Sequence, residues 1–550
     1  MNRFHEIDNK IGTIRRASNF GVLKKKLYPW QEECLALWWE HKGRGIVNVV
    51  TGAGKTVLAL GAISKVESSF NNRVNYTLKI KIIVPKIFLA NQWVKVLKSD
   101  FGISEEDIGI FSGIRKDPTN LKYMIYVINS ARFNLTNHVL EDFKKGISVF
   151  LIADECHHYG SRENSRVFDF ISKIPDKNST VNYYSLGLSA TPEGKYYEEA
   201  IIPALGKEIY KYSFAEALKA NVINHFSIFN VQVNFTKLEK NEYNLLSEQI
   251  TILLSRLRRS CSNIFKIRSS KFFAALENLA KASEDENIGM LSRSFLILSV
   301  KRKEIVYRAV NRINCVKDIL NCIPNTSKVI IFNERIDVAD LITDHLHKEF
   351  PGQVGCYHSG LDNDARRKVL RKYENSELRI LVTCKALDEG LNVSETDIGI
   401  IVSSTNSNRQ RIQRLGRILR RSNKKNIARL FYLYINSSNE EQQVLSDITR
   451  EIKGRIPIVD LVYNEDDRTF SHNMYDNLVG QVLEFASGNK WPDAIISEIK
   501  RNLEICKLSC DWWISEESCR KRIQLAINKE ERNYLKSILL LIRARTNCLD

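Results

Sequence analysis

The sequence predicts two α/β domains in tandem, each built around a parallel β-sheet. Short apolar runs rich in β-branched residues alternate with helix-patterned segments over residues 45–188, and the same alternation starts again over residues 329–434. This alternation is typical of parallel sheets that are covered by helices on both faces. The length of 550 residues and the 43% hydrophobic content are enough for roughly two to four globular domains.

The individual strands are recognised by their shortness, their apolar composition and the turn or charged residues that follow them. The candidates in the first domain are Gly45–Val50, Ile80–Val84, Tyr123–Ile128, Val149–Ala153 and Tyr184–Leu188. The candidates in the second domain are Val329–Phe332, Val354–His358, Ile380–Thr383, Ile398–Val402 and Leu430–Tyr434. Each set predicts a sheet of its own.

The segments outside the two strand sets have a helical pattern. Residues 226–320 are predicted to form a mainly helical and basic linker or insertion. Residues 456–550 are predicted to form a helical C-terminal accessory domain without a convincing strand. The two sheet domains then occupy residues 1–225 and 321–455.

The balance of charged residues indicates a polyanionic partner. Lysine and arginine exceed aspartate and glutamate by 82 − 64 = 18, and such an excess favours binding to phosphate backbones. A solubilising surface is the alternative explanation. The 11 cysteines, without an N-terminal secretory pattern, favour reduced thiols in an intracellular protein, cytoplasmic if the source is prokaryotic. No apolar run is long enough to span a bilayer, so no membrane partner is expected.

The segment Thr51-Gly-Ala-Gly-Lys-Thr56 has the residues of a phosphate-binding loop, or P-loop. It joins an apolar strand to the start of a helical pattern, so its backbone N–H groups and the helix N-terminus would surround phosphate oxygens. Lys55 is placed to reach the β- and γ-phosphates of ATP, and Thr56 to bind Mg²⁺. Val49 stands where the full pattern has glycine, and a plain turn into a helix is the alternative interpretation.

An acidic pair, Asp154 and Glu155, follows the apolar run at 149–152. Carboxylates at the carboxyl end of a buried strand lie where open α/β sheets bind ligands. Asp154 is expected to hold Mg²⁺, and Glu155 to orient and deprotonate the attacking water. One alternative is an exposed acidic turn. Another is a zinc site formed by Cys156, His157 and His158, but three adjacent residues on an extended segment cannot all face one ion.

Further segments occur in the order and spacing of known motifs. They are Leu27-Tyr-Pro-Trp-Gln31, Val84-Pro-Lys86, Asn91-Gln-Trp93, Ser189-Ala-Thr-Pro192, Ile330-Ile-Phe-Asn-Glu334, Tyr357-His-Ser-Gly360, Leu387-Asp-Glu-Gly-Leu-Asn-Val393 and Gln413-Arg-Leu-Gly-Arg-Ile-Leu-Arg420. With the loop and the acidic pair, they resemble the superfamily 2 helicases and translocases from about residue 27 to about residue 421. The sequence is most similar to the branch of XPB, RadD and the type III restriction motors, whereas DEAD-box RNA helicases have aspartate in place of His157.

The resemblance implies two RecA-like domains that share one ATP, and it assigns roles to individual residues. Catalytic roles fall to Lys55, Glu155, Arg417 and Arg420, with the two arginines meeting the charge on the γ-phosphoryl group. Binding of ATP and Mg²⁺ is expected from Gln31, Thr51, Gly52, Ala53, Gly54, Lys55, Thr56, Asp388 and Gly390, with Thr56 and Asp154 as the magnesium ligands. Coupling of hydrolysis to movement is expected from His157, Ser189, Thr191, Gln413 and Arg414. Contacts with nucleic acid are expected from Pro85, Lys86, His358, Ser359 and Thr383.

The activity implied by the resemblance is that of an ATP hydrolase that moves on DNA as a helicase or duplex translocase. Double-stranded DNA is the preferred partner, and a nuclease or other effector subunit is a further expected partner. An RNA helicase, and an ATPase that senses nucleic acid and signals without unwinding, are the alternatives. By analogy with the branch, the pathway would be repair, restriction or antiphage defence.

Overall fold

The computed structural model describes the chain in two compact units. The described residues are 21–70, 77–174, 181–190, 196–223, 226–267, 269–384, 396–403, 428–436, 438, 456–509 and 511–549. Described residues up to 223 form the N-terminal unit, and those from 226 onward form the C-terminal unit. Each unit contains one large sheet, so the prediction of two α/β domains is confirmed.

The sheet of the N-terminal unit is parallel throughout its seven described strands. Their order across the sheet is β3-β4-β2-β5-β6-β1-β7. The strands are β1 (Arg44–Val49), β2 (Thr77–Val84), β3 (Ile108–Phe111), β4 (Tyr123–Val127), β5 (Ile147–Asp154), β6 (Tyr183–Ser189) and β7 (Glu208–Tyr212). The central strands are buried nearly along their whole length, as expected for a parallel sheet covered on both faces.

Helices connect these strands in the described part of the N-terminal unit. They are α1 (Pro29–Glu40), α2 (Lys55–Phe70), α3 (Ile87–Ser99), α4 (Ile128–Lys144), α5 (Ile202–Leu205) and α6 (Phe214–Lys219). Pro29 begins α1, where its missing N–H leaves no helical hydrogen bond unmade. Ser213 and Glu216 form a capping box at the start of α6.

A buried ion group links β2 to α4. Lys79 and Lys81 are two residues apart on β2 and therefore point to the same face of the sheet. Their ammonium groups lie 2.6 Å and 2.8 Å from the two carboxylate oxygens of Asp142 on α4. Lys81 is fully buried, and burial lowers its pKa against the opposing effect of Asp142. The carboxylate therefore compensates a charge that has been removed from water.

The sheet of the C-terminal unit has eight described strands, in the order β10-β11-β9-β12-β13-β8-β14-β15. All neighbours are parallel except the terminal pair, which is antiparallel. The strands are β8 (Phe226–Val233), β9 (Val329–Asn333), β10 (Val354–Tyr357), β11 (Ile380–Cys384), β12 (Ile398–Ile401), β13 (Ala428–Ile435), β14 (Ile458–Asn464) and β15 (Thr469–Ser471).

Three of these strands correct the predicted domain limits. β8 comes from the predicted helical linker, yet it lies between β13 and β14 in the second sheet. β14 and β15 come from the tail that was predicted to contain no strand. The buried residues of β14 alternate strictly along the strand, but the opposite face also carries the apolar residues Ile458 and Val462, so the sequence itself does not show a clear period of two. The second sheet therefore takes residues from both of the predicted helical segments.

The helices of the C-terminal unit fall into three groups. An arm is formed by α7 (Lys237–Ser260), α8 (Ser269–Ala282) and α9 (Glu286–Arg308), around a small core of its own. The helices next to the sheet are α10 (Val310–Cys322), α11 (Ile336–Glu349) and α12 (Asn363–Glu374). The tail contains α13 (Asn473–Gly488), α14 (Asp493–Cys506), α15 (Glu516–Leu525) and α16 (Lys529–Arg545), which extend the core of the second sheet. Among the described residues, no helix is both long enough and apolar enough to cross a bilayer.

Candidate nucleotide-binding site

The phosphate-binding loop lies between the carboxyl end of β1 and the first residue of α2. Gly52 has a φ of 94° and Gly54 a φ of 101°, a conformation that residues with a side chain rarely adopt. Because α2 begins at Lys55, the N–H groups of Lys55, Thr56 and Val57 have no carbonyl partner one turn earlier in the helix, whereas that of Leu58 donates to the carbonyl of Gly54 at 3.1 Å. The loop therefore has the backbone geometry and the free donors that an anion requires.

Lys55 faces the acidic pair at the end of β5. Its Nζ lies 3.1 Å from Oε1 of Glu155, with the lysine side chain 10% exposed and the glutamate side chain 18% exposed. Burial favours the neutral form of Glu155, but the charge of Lys55, with a smaller effect of His157, lowers its pKa below the ordinary value. Glu155 is therefore held as a carboxylate beside the loop.

Asp154, directly before Glu155, is held from two sides. The indole Nε1 of Trp93 donates to Oδ2 at 2.9 Å, and the backbone N–H of Glu155 donates to Oδ1 at 3.1 Å. Burial, and then the negative charge of Glu155, raise the pKa of Asp154 to about 6. Among the described residues, the two buried carboxylates of Asp154 and Glu155 thus share the single ammonium group of Lys55. This excess of negative charge suits a divalent cation.

Two buried oxygens at this site have no hydrogen-bond partner among the described residues. They are Oγ1 of Thr51 and Oε2 of Glu155, the second of which has only the longer 3.5 Å approach of Nδ1 of His157. Buried polar atoms normally have a partner in a folded protein, so orphaned oxygens at a loop of this geometry fit a site that is completed by a bound group. The residues present therefore fit a nucleoside triphosphate with its metal ion.

The backbone of Glu155 is itself unusual. Its φ of 48° and ψ of 53° place it in the left-handed region, which costs a residue with a Cβ about 1–3 kcal/mol. The segment Cys156–Tyr159 then turns away as a short 3₁₀ helix. The hydroxyl of Tyr159 lies 2.7 Å from the carbonyl oxygen of Asp154 and 2.9 Å from that of Ile83. These contacts fix the turn that presents Glu155.

His157 connects the acidic pair to the next strand. Its Nδ1 lies 2.9 Å from Oγ of Ser189 at the end of β6 and 3.5 Å from Oε2 of Glu155. Cys156 points instead into the apolar core of the unit. The zinc site considered for Cys156, His157 and His158 is not among the potential metal-ligand clusters of the described residues. His157 and Ser189, the two described residues of the predicted coupling set, are thus in direct contact.

Gln31 lies beside the phosphate loop. The side chain is fully buried, its Oε1 accepts from the backbone N–H of Tyr28 at 2.8 Å, and its Nε2 donates to the carbonyl of Gly54 at 3.0 Å. Both ends of the amide thus have a partner within the protein, and the adenine contact expected of Gln31 stays a prediction. In this structure Gln31 ties the start of α1 to the phosphate loop.

The predicted contacts with nucleic acid are divided between exposed and buried residues. Lys86 and Ser359 are exposed, but Pro85 is buried. Thr383 is buried and donates through Oγ1 to the carbonyl of Ile331 at 3.1 Å. The hydroxyl of Thr383 thus completes a hydrogen bond inside the sheet, and the contact of this residue with nucleic acid stays a prediction.

His358 is also buried, and both of its ring nitrogens have partners. The backbone N–H of Gly360 donates to Nδ1 at 3.1 Å, so the ring proton of the neutral imidazole lies on Nε2, which is 2.9 Å from Oδ1 of Asp340. One potential ligand atom from each of Asp340, Cys356 and His358 lies within 4.8 Å of the other two, which is close enough for a shared metal ion. The hydrogen bond from Gly360 opposes metal binding at Nε2, because a ligating imidazole normally carries its proton on the other nitrogen. Both ring nitrogens of His358 thus have partners within the unit, and the contact of this residue with nucleic acid stays a prediction.

Seven of the predicted site residues lie outside the described residues. They are Thr191, Asp388, Gly390, Gln413, Arg414, Arg417 and Arg420. Conversely, Trp93 and Tyr159 hold Asp154 although neither was given a role from the sequence. Trp93 lies in the segment that resembles a known motif, but nothing in its spacing indicates that its indole meets an aspartate at the end of another strand.

The parallel sheets, the glycine loop before α2 and the acidic pair at the end of β5 define a P-loop ATPase. The chain belongs to the superfamily 2 helicases, in the branch that includes XPB and the type III restriction motors. The family model for the type III restriction enzyme res subunit matches residues 24–194, and that for the helicase conserved C-terminal domain matches residues 311–422. The chain is accordingly an ATP-hydrolysing nucleic-acid motor.

Individual relatives match over most of the chain. The DNA 3'-5' translocase XPB2 of Sulfurisphaera tokodaii is 28% identical over 410 residues, which are 74% of this chain and 81% of that protein. The putative DNA 3'-5' helicase Rad25 of Haloarcula marismortui is 24% identical over 433 residues, 77% of this chain, but this alignment spans about half of that relative, 54%. The solved Hef helicase domain of Pyrococcus furiosus is 18% identical, with a TM-score of 0.48, and the match covers 75% of this chain and 96% of that chain.

Proposed function

We propose that this motor uses ATP with Mg²⁺ to translocate along double-stranded DNA. The observation that carries the ATPase half of the proposal is the approach of Lys55 to Glu155 beside a loop with free backbone donors. The choice of DNA rests on relatives that are named as DNA 3'-5' translocase or helicase and on the net charge of +18. By the same names, we propose movement in the 3'-to-5' direction.

The proposed roles at the nucleotide follow from the position of each group. The backbone of Gly52–Gly54 and the first turn of α2 would hold the phosphates, and Lys55 would exchange its contact with Glu155 for the β- and γ-phosphates. Thr56 and Asp154 would hold Mg²⁺, which neutralises charge on the phosphate oxygens when it is bound. Glu155, freed from Lys55, would then accept the proton of the attacking water.

The remaining roles are proposed from the family resemblance and from exposure. Arg417 and Arg420 would complete the catalytic set, and Asp388 and Gly390 would contribute to nucleotide binding. Lys86 and Ser359 are exposed and retain their proposed contacts with the nucleic-acid backbone. Exposed basic residues of the arm would add phosphate contacts that hold a duplex without reading its sequence. They are Arg256, Arg258, Arg259, Lys301 and Lys303.

The polymer that stimulates ATP turnover tests the proposal. The turnover number is measured with double-stranded DNA, single-stranded DNA and RNA of matched length and sequence over a range of salt concentrations. We expect the duplex to stimulate most strongly, and its half-saturating concentration to rise steeply with salt because phosphate contacts release counterions. Stronger stimulation by RNA than by either DNA would contradict the proposed track.

Movement is measured separately from turnover. A third strand that is bound as a triplex downstream of a duplex track is displaced only if the motor moves along the duplex. Direction is tested with tracks in which only one of the two strands is continuous, so that 3'-to-5' movement along that strand either reaches the triplex or leads away from it. Lys55→Ala is the control that cannot hydrolyse ATP. DNA-stimulated turnover without displacement would instead favour an ATPase that senses DNA and signals to a partner.

Ser189→Ala tests the contact between the acidic pair and β6. The variant loses the hydrogen bond to His157, a change of about 0.5–1.5 kcal/mol. We therefore expect DNA-stimulated turnover to remain within a few-fold of wild type while displacement per ATP hydrolysed falls. Ser185→Ala is the matched control, because Ser185 is buried on the same strand but donates to Leu205. Equal losses in both variants would assign Ser189 to stability alone.

A further inference from the structure

A cavity opens in the N-terminal unit, away from the phosphate loop. It has a volume of about 560 Å³. It is lined by His41, Lys42, Arg44, Ile202, Pro203, Gly206, Lys207, Glu208 and Ile209. These residues come from the turn before β1, the short helix α5 and the start of β7. No motif of the family includes them.

The cavity lies at the amino-terminal end of β1, whereas the ATP site lies at the carboxyl end of the same strand. Arg44 is the first residue of β1 and Val49 the last, directly before the phosphate loop. The two ends of β1 are five residue steps apart, which corresponds to roughly 16 Å along a strand. The cavity is therefore distinct from the ATPase site within its unit.

Close backbone approaches shape its wall. Gly206 has a φ of 99°, and a Cβ at this residue would lie 3.0 Å from backbone atoms of Arg44 and Gly45. A Cβ at Gly45 would in turn lie 2.6 Å from the side chain of Ile209. Both glycines allow the loop before β7 to pack directly on β1. The cavity is therefore formed by fixed backbone, with Ile202, Pro203 and Ile209 as its apolar part.

Its charged part is strongly basic. The lining contains three positively charged side chains, those of Lys42, Arg44 and Lys207, together with His41. The lining contains one carboxylate, that of Glu208. Oε2 of Glu208 accepts from Nδ2 of Asn48 at 3.2 Å. Within the described part of the chain, no ion pair involves Lys42, Arg44 or Lys207. Three positive charges thus have no ion-pair partner among the described residues.

Arg44 is held in place by neutral groups. Its Nη2 donates to the carbonyl of Pro203 at 2.6 Å, and its guanidinium lies 5.3 Å from the ring centroid of Tyr183. The guanidinium is thereby pre-organised while its charge stays available, and such a group binds carboxylates well.

We propose that this cavity binds an acidic peptide segment of a partner protein. One apolar side chain of the segment would contact Ile202, Pro203 and Ile209, and the flanking carboxylates would lie beside Lys42, Arg44 and Lys207. A phosphate backbone would use the positive charges but has no apolar group for the rest of the cavity. β7 is also the end strand of the described sheet, so an extended segment has main-chain groups beside it with which to pair.

Selection from a displayed library of random short peptides tests the proposal. Peptides are selected on the wild-type protein, with the double variant Lys42→Glu/Lys207→Glu as counter-selection. A selected peptide is then synthesised with a fluorophore and its affinity is measured by anisotropy. Lys95→Glu/Lys173→Glu is the matched control, since both lysines are exposed residues of the same unit that lie neither in the cavity nor on β7.

We expect the selected peptides to carry acidic residues around an apolar residue. Their affinity for the Lys42/Lys207 double variant should be at least about tenfold weaker than for wild type, because like charges across an interface repel, while the control should match wild type. DNA-free ATP turnover should be unchanged in both variants. If the double variant does not fold, Lys207→Glu alone replaces it.

Three results would overturn the proposal. The first is the absence of acidic peptides from the selection. The second is equal affinity of a selected peptide for wild type and the double variant. The third is displacement of the peptide by duplex DNA whose own affinity falls in the same double variant, which would make the cavity part of the DNA-binding surface.

Discussion

Glu155→Gln is expected to abolish most ATP turnover while ATP binding is retained. The substitution keeps the shape of the side chain but removes the carboxylate that would accept the proton of the attacking water. Loss of a positioned general base typically lowers the rate by about 10²–10⁴-fold. Affinity for ATP should stay equal or increase, because Lys55 no longer has the carboxylate 3.1 Å away as a competing partner.

The measurement combines steady-state turnover with equilibrium binding of a fluorescent ATP analogue. Glu163→Gln serves as the control, since Glu163 is an exposed residue a short distance further along the chain. Near-normal turnover in Glu155→Gln would remove Glu155 from the role of base. Loss of nucleotide binding together with turnover would show that the carboxylate only supports the fold of the site.

Asp142→Asn is expected to cause a large loss of stability in the N-terminal unit. The carboxylate lies 2.6 Å and 2.8 Å from the ammonium groups of Lys79 and Lys81, and Lys81 is fully buried. Removal of one partner from a buried ion group leaves an uncompensated charge and costs about 3–5 kcal/mol. Calorimetry should show a lower midpoint for one unfolding transition, whereas Glu141→Gln, at the exposed neighbouring residue, should stay within about 0.5 kcal/mol of wild type.

The pH dependence of this variant distinguishes a lost charge pair from poor packing. Burial lowers the pKa of Lys81 in the folded state, and loss of Asp142 removes the charge that opposes this effect. Between the folded pKa of Lys81 in the variant and its higher folded pKa in wild type, folded wild type holds a proton that the folded variant has lost. The stability of the variant therefore rises more steeply with pH than that of wild type in this window, so the deficit of Asp142→Asn should shrink there, and a deficit that is constant with pH would indicate packing instead.

The predicted strands of both sheets were found because buried parallel strands are continuous apolar runs, whose signal needs no knowledge of their neighbours. β8 and β14 were missed for a different reason. Both pair with strands that are remote in sequence, and their half-polar composition blends with the helical segments around them. Lys79 and Lys81 illustrate the same limit, since only the position of Asp142 on another element explains how charged residues occur inside β2.

At the site, the groups that the structure places side by side as expected are those whose position depends on local sequence. Gly52, Gly54 and Lys55 lie in one turn, and Asp154 and Glu155 follow one strand. Gln31, His358 and Thr383 were predicted by resemblance alone, and the structure gives their polar groups partners inside the protein. Whether a side chain faces solvent or a neighbouring carbonyl depends on tertiary packing, which a motif does not contain.

The place of β8 also bears on how the chain is synthesised. Asn230 on β8 donates to Asp460 on β14, a residue 230 positions later. At about 5–20 residues per second, the ribosome needs on the order of ten seconds or more to make the intervening chain. During that interval β8 has an unpaired side, which is the kind of edge that invites misassembly. The nascent protein therefore passes through a vulnerable stage that ends only when its last strands emerge.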